Sequence, residues 1–450
     1  MRFLAVASGA FPSDTQISLE QDVALAASVL EGPGLTLLAA GPAAPVLALE
    51  PEAMPRTDDV RARLRDLFAP MAPSHLAYRS PRIDVDGPAD RNTVLEALAR
   101  ASSRGDGPLL VYLGGHGEQG AAPAENRIVT WGGDGVTVAD VADALSGAER
   151  PVLLVSSACF SGGLAEVALA LPPDEGVPTV CGLFAAPWDR EASGCDPDPE
   201  RRAADGFALH FFPALEGRTF DGRSIPRSDI DFDGDGRIAP LEAHAYVRIF
   251  LDTADVPTTT SGAFALATAP EAGPARPVDL PVEVAVVERL SERFGVDGRP
   301  EHIARLLDAA HRDLASAEDA LAEAQAKEDA AYRAVAAEIL ARWPGLDDPW
   351  RDDFERRLAA ARPHLVRYFD TSSAYSIYLD ARRRTDATLA RLGAAARKAA
   401  RLERLDRAAR TLAAAGRLAA ADPATFARFE ALRACEKMPV PLARSGTARR

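Results

Sequence analysis

The segments PLLVYLGGHGEQG (residues 108–120) and PVLLVSSACFSGG (residues 151–163) decide the fold of this chain. Each begins with a continuous apolar run and ends in small residues around one reactive side chain, His116 in the first and Cys159 in the second. Continuous apolar runs of this length are typical of strands that are covered on both faces of a sheet. We therefore expect two buried strands whose carboxyl ends carry His116 and Cys159.

Further apolar runs of the same kind lie at residues 2–8, 34–40 and 178–186. Helical patterns separate the runs, at residues 19–30, 91–101, 138–145, 164–171 and 206–215. This alternation predicts an α/β domain over residues 1–215, with a mostly parallel sheet flanked by helices on both faces. In such sheets the active site lies beyond the carboxyl ends of the strands, where His116 and Cys159 are expected.

Composition limits the classes of partner. A length of 450 residues predicts two or three domains, and a formal charge of −15 argues against a nucleic-acid partner, because phosphate binding requires a basic surface. No apolar run reaches the roughly 18 residues of a membrane span, so no membrane partner is expected. We interpret the short apolar start as a strand at Phe3–Ser8 rather than as a signal peptide. Four scattered cysteines predict free thiols and a cytoplasmic location.

His116 and Cys159 have the residue types of a general base and a nucleophile. A thiol beside a helix N-terminus is expected to have a lowered pKa, because the helix dipole favours the thiolate. The neighbouring glycines allow the backbone amides of Gly117 and Cys159 to approach a substrate carbonyl and hold its oxyanion. Considered alone, such a cysteine is more often a small buried hydrophobe. A Cys phosphatase is excluded because no Arg follows Cys159 within six residues. A serine hydrolase is excluded because no G-x-S-x-G elbow is present.

The two motifs together resemble those of clan CD cysteine peptidases, especially bacterial caspase-like and legumain-like members. GPADRNTVLEALAR (residues 87–100) resembles the helix before the His strand of that family. FAAPWDREASGCDPD (184–198) and ADGFALHFFPALE (204–216) resemble the stretch that builds its specificity pocket. The likeness covers about residues 1–215. It departs at Ser157, where legumains have Glu, caspases have Gln and metacaspases have Asp.

The resemblance implies a cysteine endopeptidase acting on protein substrates. Maturation by proteolysis is implied too, by an activating protease that cuts at the polar stretch of Arg190, Arg201 and Arg202. Prokaryotic relatives of this shape often belong to antiviral defence or regulated-death pathways. A non-catalytic adaptor with the same fold, and an acyl transferase using the same dyad, remain alternatives.

The resemblance also implies a preference for the residue before the scissile bond. The Arg of the zwitterionic legumain pocket falls near Ser18, so the cation is expected to be missing. One carboxylate is expected to persist as Asp205, with Ser193 lining the wall and Ser157, Asp189 and Glu20 nearby. A pocket with an unbalanced carboxylate favours cleavage after Arg, and less after Lys.

The acidic segment DFDGDGRIAPLE (residues 231–242) fits the loop of a calcium-binding EF-hand. The predicted ligands at positions one, three, five, seven and twelve are Asp231, Asp233, Asp235, the Arg237 carbonyl and Glu242. The preceding RSIPRSD is not helical, so only half of the hand is present. We expect one bound Ca²⁺ with a structural or regulatory role, and no cofactor for catalysis.

The rest of the chain divides into two regions. Residues 216–280 form a loop-rich extension that contains the calcium loop and ends in a Pro-rich linker, whereas residues 281–450 form a helical domain with a regulatory or partner-binding role. Trp343-Pro344-Gly345 ends its first long helix, and further helices are predicted at 351–369, 374–416 and 424–436, with a long antiparallel hairpin. We interpret the Arg positions from Arg391 to Arg417 as a solvated face rather than a nucleic-acid contact.

Overall fold

The computed structural model of the chain describes residues 2–49, 60–68, 76–105, 107–170, 180–201, 205–440 and 442–443. The chain divides into two compact units. Unit 1 consists of Met1–Leu49, Ala77–Leu307 and Arg397–Arg450, and unit 2 of Glu50–Leu76 and Asp308–Ala396. The domain boundaries expected at residues 215 and 280 both fall inside unit 1, and so does the last helical segment of the chain.

The described strands are β1 Phe3–Ser8, β2 Gly34–Leu38, β3 Val46–Leu49, β4 Leu76–Arg79, β5 Leu109–Gly115, β6 Gly117–Glu118, β7 Arg127–Ile128, β8 Val136–Thr137, β9 Val152–Ser156, β10 Val180–Phe184 and β11 Thr258–Thr259. The described α-helices are α1 Ile17–Val29, α2 Val60–Phe68, α3 Arg91–Ser102, α4 Val138–Leu145, α5 Ala165–Ala170, α6 Phe207–Leu215, α7 Pro240–Phe250, α8 Thr260–Thr268, α9 Pro281–Phe294, α10 Pro300–Arg342, α11 Phe354–Thr371, α12 Ser373–Ala421 and α13 Pro423–Glu436.

The main sheet lies in unit 1 and has six described strands in the order β11-β10-β9-β5-β1-β2. All neighbouring pairs are parallel except β11, which runs antiparallel to β10. An α/β fold with a mostly parallel sheet, flanking helices and a long helical C-terminal region is therefore confirmed. The five predicted strands and five predicted helices of residues 1–215 are all present, with bounds that shift by a few residues.

Side-chain alternation explains why the strands are apolar throughout. In β5, Leu110 and Tyr112 pack in one cluster with residues of α1 and α6. Leu109, Val111 and Leu113 pack in a second cluster with residues of α3 and α4. Because both faces of β5 are covered by helices, every position of the strand is buried.

The helical segments at the end of the chain pack in two ways. In unit 2, α10 and α12 lie side by side and antiparallel, since Lys327 shares a groove with Ala381 and Asp313 shares the next groove with Ala395. From Arg397 onward, α12 and then α13 belong to unit 1. Among the described residues, no helix is both long enough and apolar enough to cross a bilayer.

A disulfide bond joins α13 to the sheet. Sγ of Cys181 in β10 lies 2.01 Å from Sγ of Cys435 in α13, and both residues are buried. The expectation of four free thiols is wrong for this pair, because residues 254 positions apart in sequence meet in the core. Cys159 and Cys195 are free thiols.

We predict that Cys435→Ala lowers the free energy of unfolding by about 2–4 kcal/mol, because it opens a long covalent loop. Denaturant titration of the oxidised protein measures the change. Cys195→Ala, which removes an exposed free thiol, is the control and should stay within about 0.5 kcal/mol of wild type. Four reactive thiols in the denatured, unreduced wild type would contradict the bond.

Candidate active site

Four neighbouring strands of the sheet, β10, β9, β5 and β1, end at the same edge. His116 follows β5 directly, and Cys159 lies three residues after the end of β9. The segments that follow β1 and β10 also reach these two residues, through Asp14 and Ala192 respectively. The site therefore lies at the carboxyl edge of a parallel sheet, as the strand pattern predicts.

Two oxygen atoms fix the orientation of His116. Its Nε2 lies 2.9 Å from the carbonyl oxygen of Asp14 and 3.1 Å from Oε1 of Gln16. Carbonyl oxygens only accept hydrogen bonds, so Nε2 must carry the proton and donate it. In the neutral ring, Nδ1 is then left with a lone pair. His116 is thus arranged to accept a proton at Nδ1.

Cys159 is half-buried, and its sulfur contacts two backbone amides. The Ala192 N–H donates to Sγ at 3.3 Å, and the Gly117 N–H also donates to the sulfur. Burial nevertheless raises the pKa of the Cys159 thiol, and the negative charges of Glu191 and Asp255 raise it further, while the two amides lower it. A protonated thiol at neutral pH depends on a base for its activation.

The expected lowering of the Cys159 pKa by a helix N-terminus is therefore wrong. The described helical residues after the cysteine begin with the 3-10 turn Ser161–Leu164, and Cys159 lies two residues before that turn. The effect of a helix dipole is confined to the terminal turn, whereas burial acts on the whole thiolate charge.

The loop after β5 and the loop after β9 touch each other at Gly117. A Cβ atom on this glycine would lie 2.0 Å from the carbonyl oxygen of Cys159, so no side chain fits between the loops. The next residue after the cysteine, Phe160, has φ +59°, a left-handed conformation that costs a non-glycine residue about 1–2 kcal/mol. Its N–H donates to the carbonyl of Arg190 at 2.7 Å, and this bond helps to hold the strained backbone.

Asn126 joins three loops of the site. Its Nδ2 donates to the carbonyl oxygens of Phe160 at 3.0 Å and Trp188 at 2.6 Å, and its Oδ1 accepts from the Gly120 N–H at 2.9 Å. The residue is buried, so these bonds satisfy a polar group that would otherwise be costly to enclose. Asn126 is not predictable from the sequence, because a single amide in a loop belongs to no motif.

A second thiol lies beside His116. Sγ of Cys195 is 3.8 Å from Nδ1 of His116, although the sequence analysis gave this cysteine no role. The residue is exposed, but its sulfur is crowded by protein atoms, and this desolvation raises the pKa of Cys195 to about 12. Negative charge on Cys159 and Asp22 also raises it, whereas Arg201 lowers it.

Arg201 supplies the cation that was expected to be missing near Ser18. Its Nη1 lies 2.9 Å from Oδ1 of Asp22 and 3.4 Å from the Ser18 carbonyl oxygen, and both side chains of the ion pair are buried. Asp22 also bonds to Tyr112, whose hydroxyl lies 2.7 Å from Oγ of Ser157. The expected absence of a positive charge is wrong, because Arg201 reaches this position from a later loop.

The remaining predicted pocket residues have other contacts. Asp205 accepts from Nε2 of His210 at 2.6 Å, at the start of α6, and Glu20 pairs with Arg79 at 2.9 Å. Asp189 is exposed. The Ser193 N–H donates to Oδ1 of the buried Asp255 at 2.7 Å, beside the loop that contacts Cys159.

The acidic loop brings three of its predicted ligands together. Asp231, Asp233 and Asp235 each offer a carboxylate oxygen within 4.8 Å of the others. Oδ1 of Asp231 is buried and has no hydrogen-bond partner among the described residues. The Gly236 N–H donates to the other oxygen of Asp231 at 3.1 Å, and the Arg237 N–H donates to Oδ1 of Asp235 at 2.7 Å. All-oxygen donors of this kind fit Ca²⁺.

The side chains of Glu242 and Lys437 already have partners in the acidic loop. The Glu242 carboxylate accepts the N–H groups of Phe232 at 2.7 Å and Ala239 at 2.9 Å, and so it caps α7 instead of joining the three aspartates. Lys437 Nζ lies 2.6 Å from Oδ2 of Asp233. An ammonium group therefore occupies one of the oxygens that a metal ion would use.

The chain matches no known family model and no curated protein sequence.

We predict that Glu191→Gln increases the rate of Cys159 alkylation by iodoacetamide at pH 8, by about twofold for one exposed charge. Removing the negative charge lowers the pKa of Cys159 and increases its thiolate fraction. Mass spectrometry of the digested protein reports Cys159 separately from Cys195. Glu149→Gln is the matched control, because this exposed residue precedes β9 at the opposite edge of the sheet. A rate equal to or below that of wild type would contradict the electrostatic account.

Proposed function

We propose that this protein is a caspase-like cysteine endopeptidase of the clan CD type, with Cys159 as nucleophile and His116 as general base. The observation that carries the proposal is the contact at Gly117 between the loop after β5, which contains His116, and the loop after β9, which contains Cys159. This contact leaves no room for a side chain. The motifs that resemble those of clan CD lie in these same two loops.

The proposed mechanism starts from a neutral thiol and a neutral imidazole. Nδ1 of His116 accepts the proton of Cys159 as Sγ attacks the substrate carbonyl carbon. The resulting imidazolium is stabilised by the Asp14 and Gln16 oxygens, which already accept the Nε2 proton. The backbone amides of Gly117 and Cys159 hold the oxyanion. Nδ1 then protonates the leaving amine, and water hydrolyses the thioester.

The proposed substrates are proteins cleaved after Arg, and less efficiently after Lys. Asp22 is paired with Arg201, so a single unbalanced carboxylate no longer supports this preference. Support comes instead from Asp14, Glu191 and Asp255, whose negative charges raise the pKa of one or other thiol. A site with an excess of negative charge favours a cationic side chain.

Activation by proteolysis and a role in prokaryotic defence remain proposals that rest on the resemblance. The Arg201 side chain is only 6% exposed, so Arg201 is not an open cleavage site in this conformation, whereas Arg190 is exposed although it is paired with Glu403. Arg202 lies outside the described residues. If the chain is processed, mass spectrometry of the active protein will show fragments rather than the intact chain. The cytoplasmic location expected from free thiols loses that support, since disulfides such as Cys181–Cys435 persist mainly in oxidising compartments.

A non-catalytic adaptor is the second candidate. Two observations favour it: the raised pKa of Cys159, which keeps the thiol protonated, and the position of Cys195 beside Nδ1 of His116. In an adaptor the same fold would hold partner proteins without hydrolysing them.

We predict that Cys159→Ala and His116→Ala each abolish cleavage in a panel of peptides varied at the residue before the scissile bond. The double variant should be little worse than either single variant, because the pair acts as a unit. Cys195→Ser is the matched control and should retain turnover.

Each outcome has a clear consequence. Turnover by Cys159→Ala would exclude this nucleophile, and loss of turnover in Cys195→Ser alone would move the role to Cys195. A folded wild type that cleaves nothing supports the adaptor. Cleavage after Asp or Asn would contradict the Arg preference.

We also propose that the acidic loop binds one Ca²⁺ through Asp231, Asp233, Asp235, the Arg237 carbonyl and Glu242. Glu242 would have to release the loop amides to take part. The ion would supply positive charge that holds the loop at the start of α7.

We predict that Ca²⁺ raises the melting temperature, since it stabilises the state that binds it. Asp231→Asn and Glu242→Gln should weaken binding, whereas Lys437→Met should strengthen it by removing the cation that competes for Asp233. Isothermal titration calorimetry on the metal-free protein measures the affinity. Lys327→Met, in unit 2, is the control for a general charge effect. No heat and no thermal shift with millimolar Ca²⁺ would show that the loop does not bind the ion.

A further inference from the structure

Two adjacent residues of α12 bond to different segments of unit 1: Glu403 to the loop after β10, and Arg404 to the segment after α7. The Glu403 carboxylate accepts hydrogen bonds from both terminal nitrogens of Arg190, at 2.5 and 2.8 Å. Arg404 is fully buried and belongs to the Arg positions that were expected to form a solvated face. The expectation of a solvated face is therefore wrong for Arg404.

Arg190 belongs to the loop that encloses the nucleophile. Its carbonyl accepts the N–H of Phe160, the residue that follows Cys159, at 2.7 Å. Two positions further along, the Ala192 N–H donates to Sγ of Cys159 at 3.3 Å. A shift of Arg190 would therefore disturb both the strained backbone after Cys159 and a hydrogen bond that lowers its pKa.

Arg404 binds the segment after α7, and this segment in turn contacts the loop that contains Arg190 and Ser193. Its guanidinium donates to the carbonyl oxygens of Leu251, Thr253 and Asp255 at 2.7, 2.9 and 2.7 Å. These carbonyls belong to the segment after α7, where Asp255 accepts the Ser193 N–H at 2.7 Å. Burial lowers the pKa of Arg404 to about 10, so the group still carries its charge at neutral pH.

The helix that carries both residues is continuous over Ser373–Ala421. Its residues up to Ala396 belong to unit 2, and its residues from Arg397 belong to unit 1.

We propose that Glu403 and Arg190 are a positioning pair through which α12 sets the reactivity of Cys159. The catalytic consequence rests on the proposed peptidase function, whereas the effect on the thiol does not. The Arg190 side chain is 47% exposed and the Glu403 side chain 10% exposed, so solvent screens only the Arg190 end of the pair. The pH profile of Cys159, and not stability alone, is therefore the property that tests the pair.

The test measures Cys159 alkylation by iodoacetamide against pH, in the full chain, by mass spectrometry of the digested protein. In Glu403→Gln and in Arg190→Gln, the rate at pH 8 should fall by about threefold or more. The apparent pKa of Cys159 should rise, because the Ala192 amide no longer holds the sulfur. Asp406→Asn, one turn along α12 and paired with Arg410, is the matched control and should behave as wild type.

The double variant decides whether the two residues act together. If they form one pair, combining Glu403→Gln with Arg190→Gln should be no worse than either change alone. Additive losses, or unchanged pH profiles in both single variants, would overturn the proposal. A lowered melting temperature with an unchanged profile would show a merely structural role and would also overturn it.

Peptide hydrolysis gives a separate readout. In the single variants kcat should fall while KM changes little, because the pair acts on the nucleophile and not on substrate binding. If the wild type cleaves no peptide, the peptidase proposal fails, and the alkylation profiles still decide whether α12 positions Cys159.

Discussion

Parallel pairing of β5 with β9 is the constraint on which the candidate site depends. Leu113 pairs with Ser156, so His116 and Cys159 each lie three residues beyond the same register point. The pairing of β5 with β1 brings the segment after Ser8 to the same edge. A register slip of one residue would turn one of the two reactive side chains toward the wrong face. The buried faces of the strands, covered by helices on both sides, prevent that slip.

At this edge of the sheet, polar groups form hydrogen bonds and ion pairs with one another. The carbonyl of Asp14 fixes the tautomer of His116, and Asn126 joins the loops beside the thiol. The buried pair of Arg201 and Asp22 places opposite charges behind Ser157. The Cys159 thiol has a raised pKa, and Nδ1 of His116, the ring nitrogen without the proton, lies 3.8 Å from Sγ of Cys195.

The C-terminal segment from Arg397 onward belongs to unit 1. Arg404 binds the carbonyls after α7, Cys435 is bonded to β10, and Lys437 contacts the acidic loop. Glu436 is buried and accepts both the N–H and the hydroxyl of Ser261, and burial raises its pKa to about 7. These residues of α12, of α13 and of the segment after α13 therefore contact both the segments around the candidate active site and the candidate calcium site.

The local pattern of the sequence determined the strands, the helices and the positions of His116 and Cys159 at strand ends. These features follow from periodicity and from glycines close by in the chain, so short segments contain all the information. It also determined the grouping of Asp231, Asp233 and Asp235, because one turn of backbone brings them together.

Only the tertiary structure decided the order of the strands, the raised pKa of Cys159, the partner of Asp22 and the disulfide of Cys181. The same holds for the role of α12, since helical periodicity shows that one face is buried but not what it is buried against. Arg201 meets Asp22, and Arg404 meets Leu251, across long separations in sequence. Such contacts depend on how the whole chain packs, and no local spacing records them.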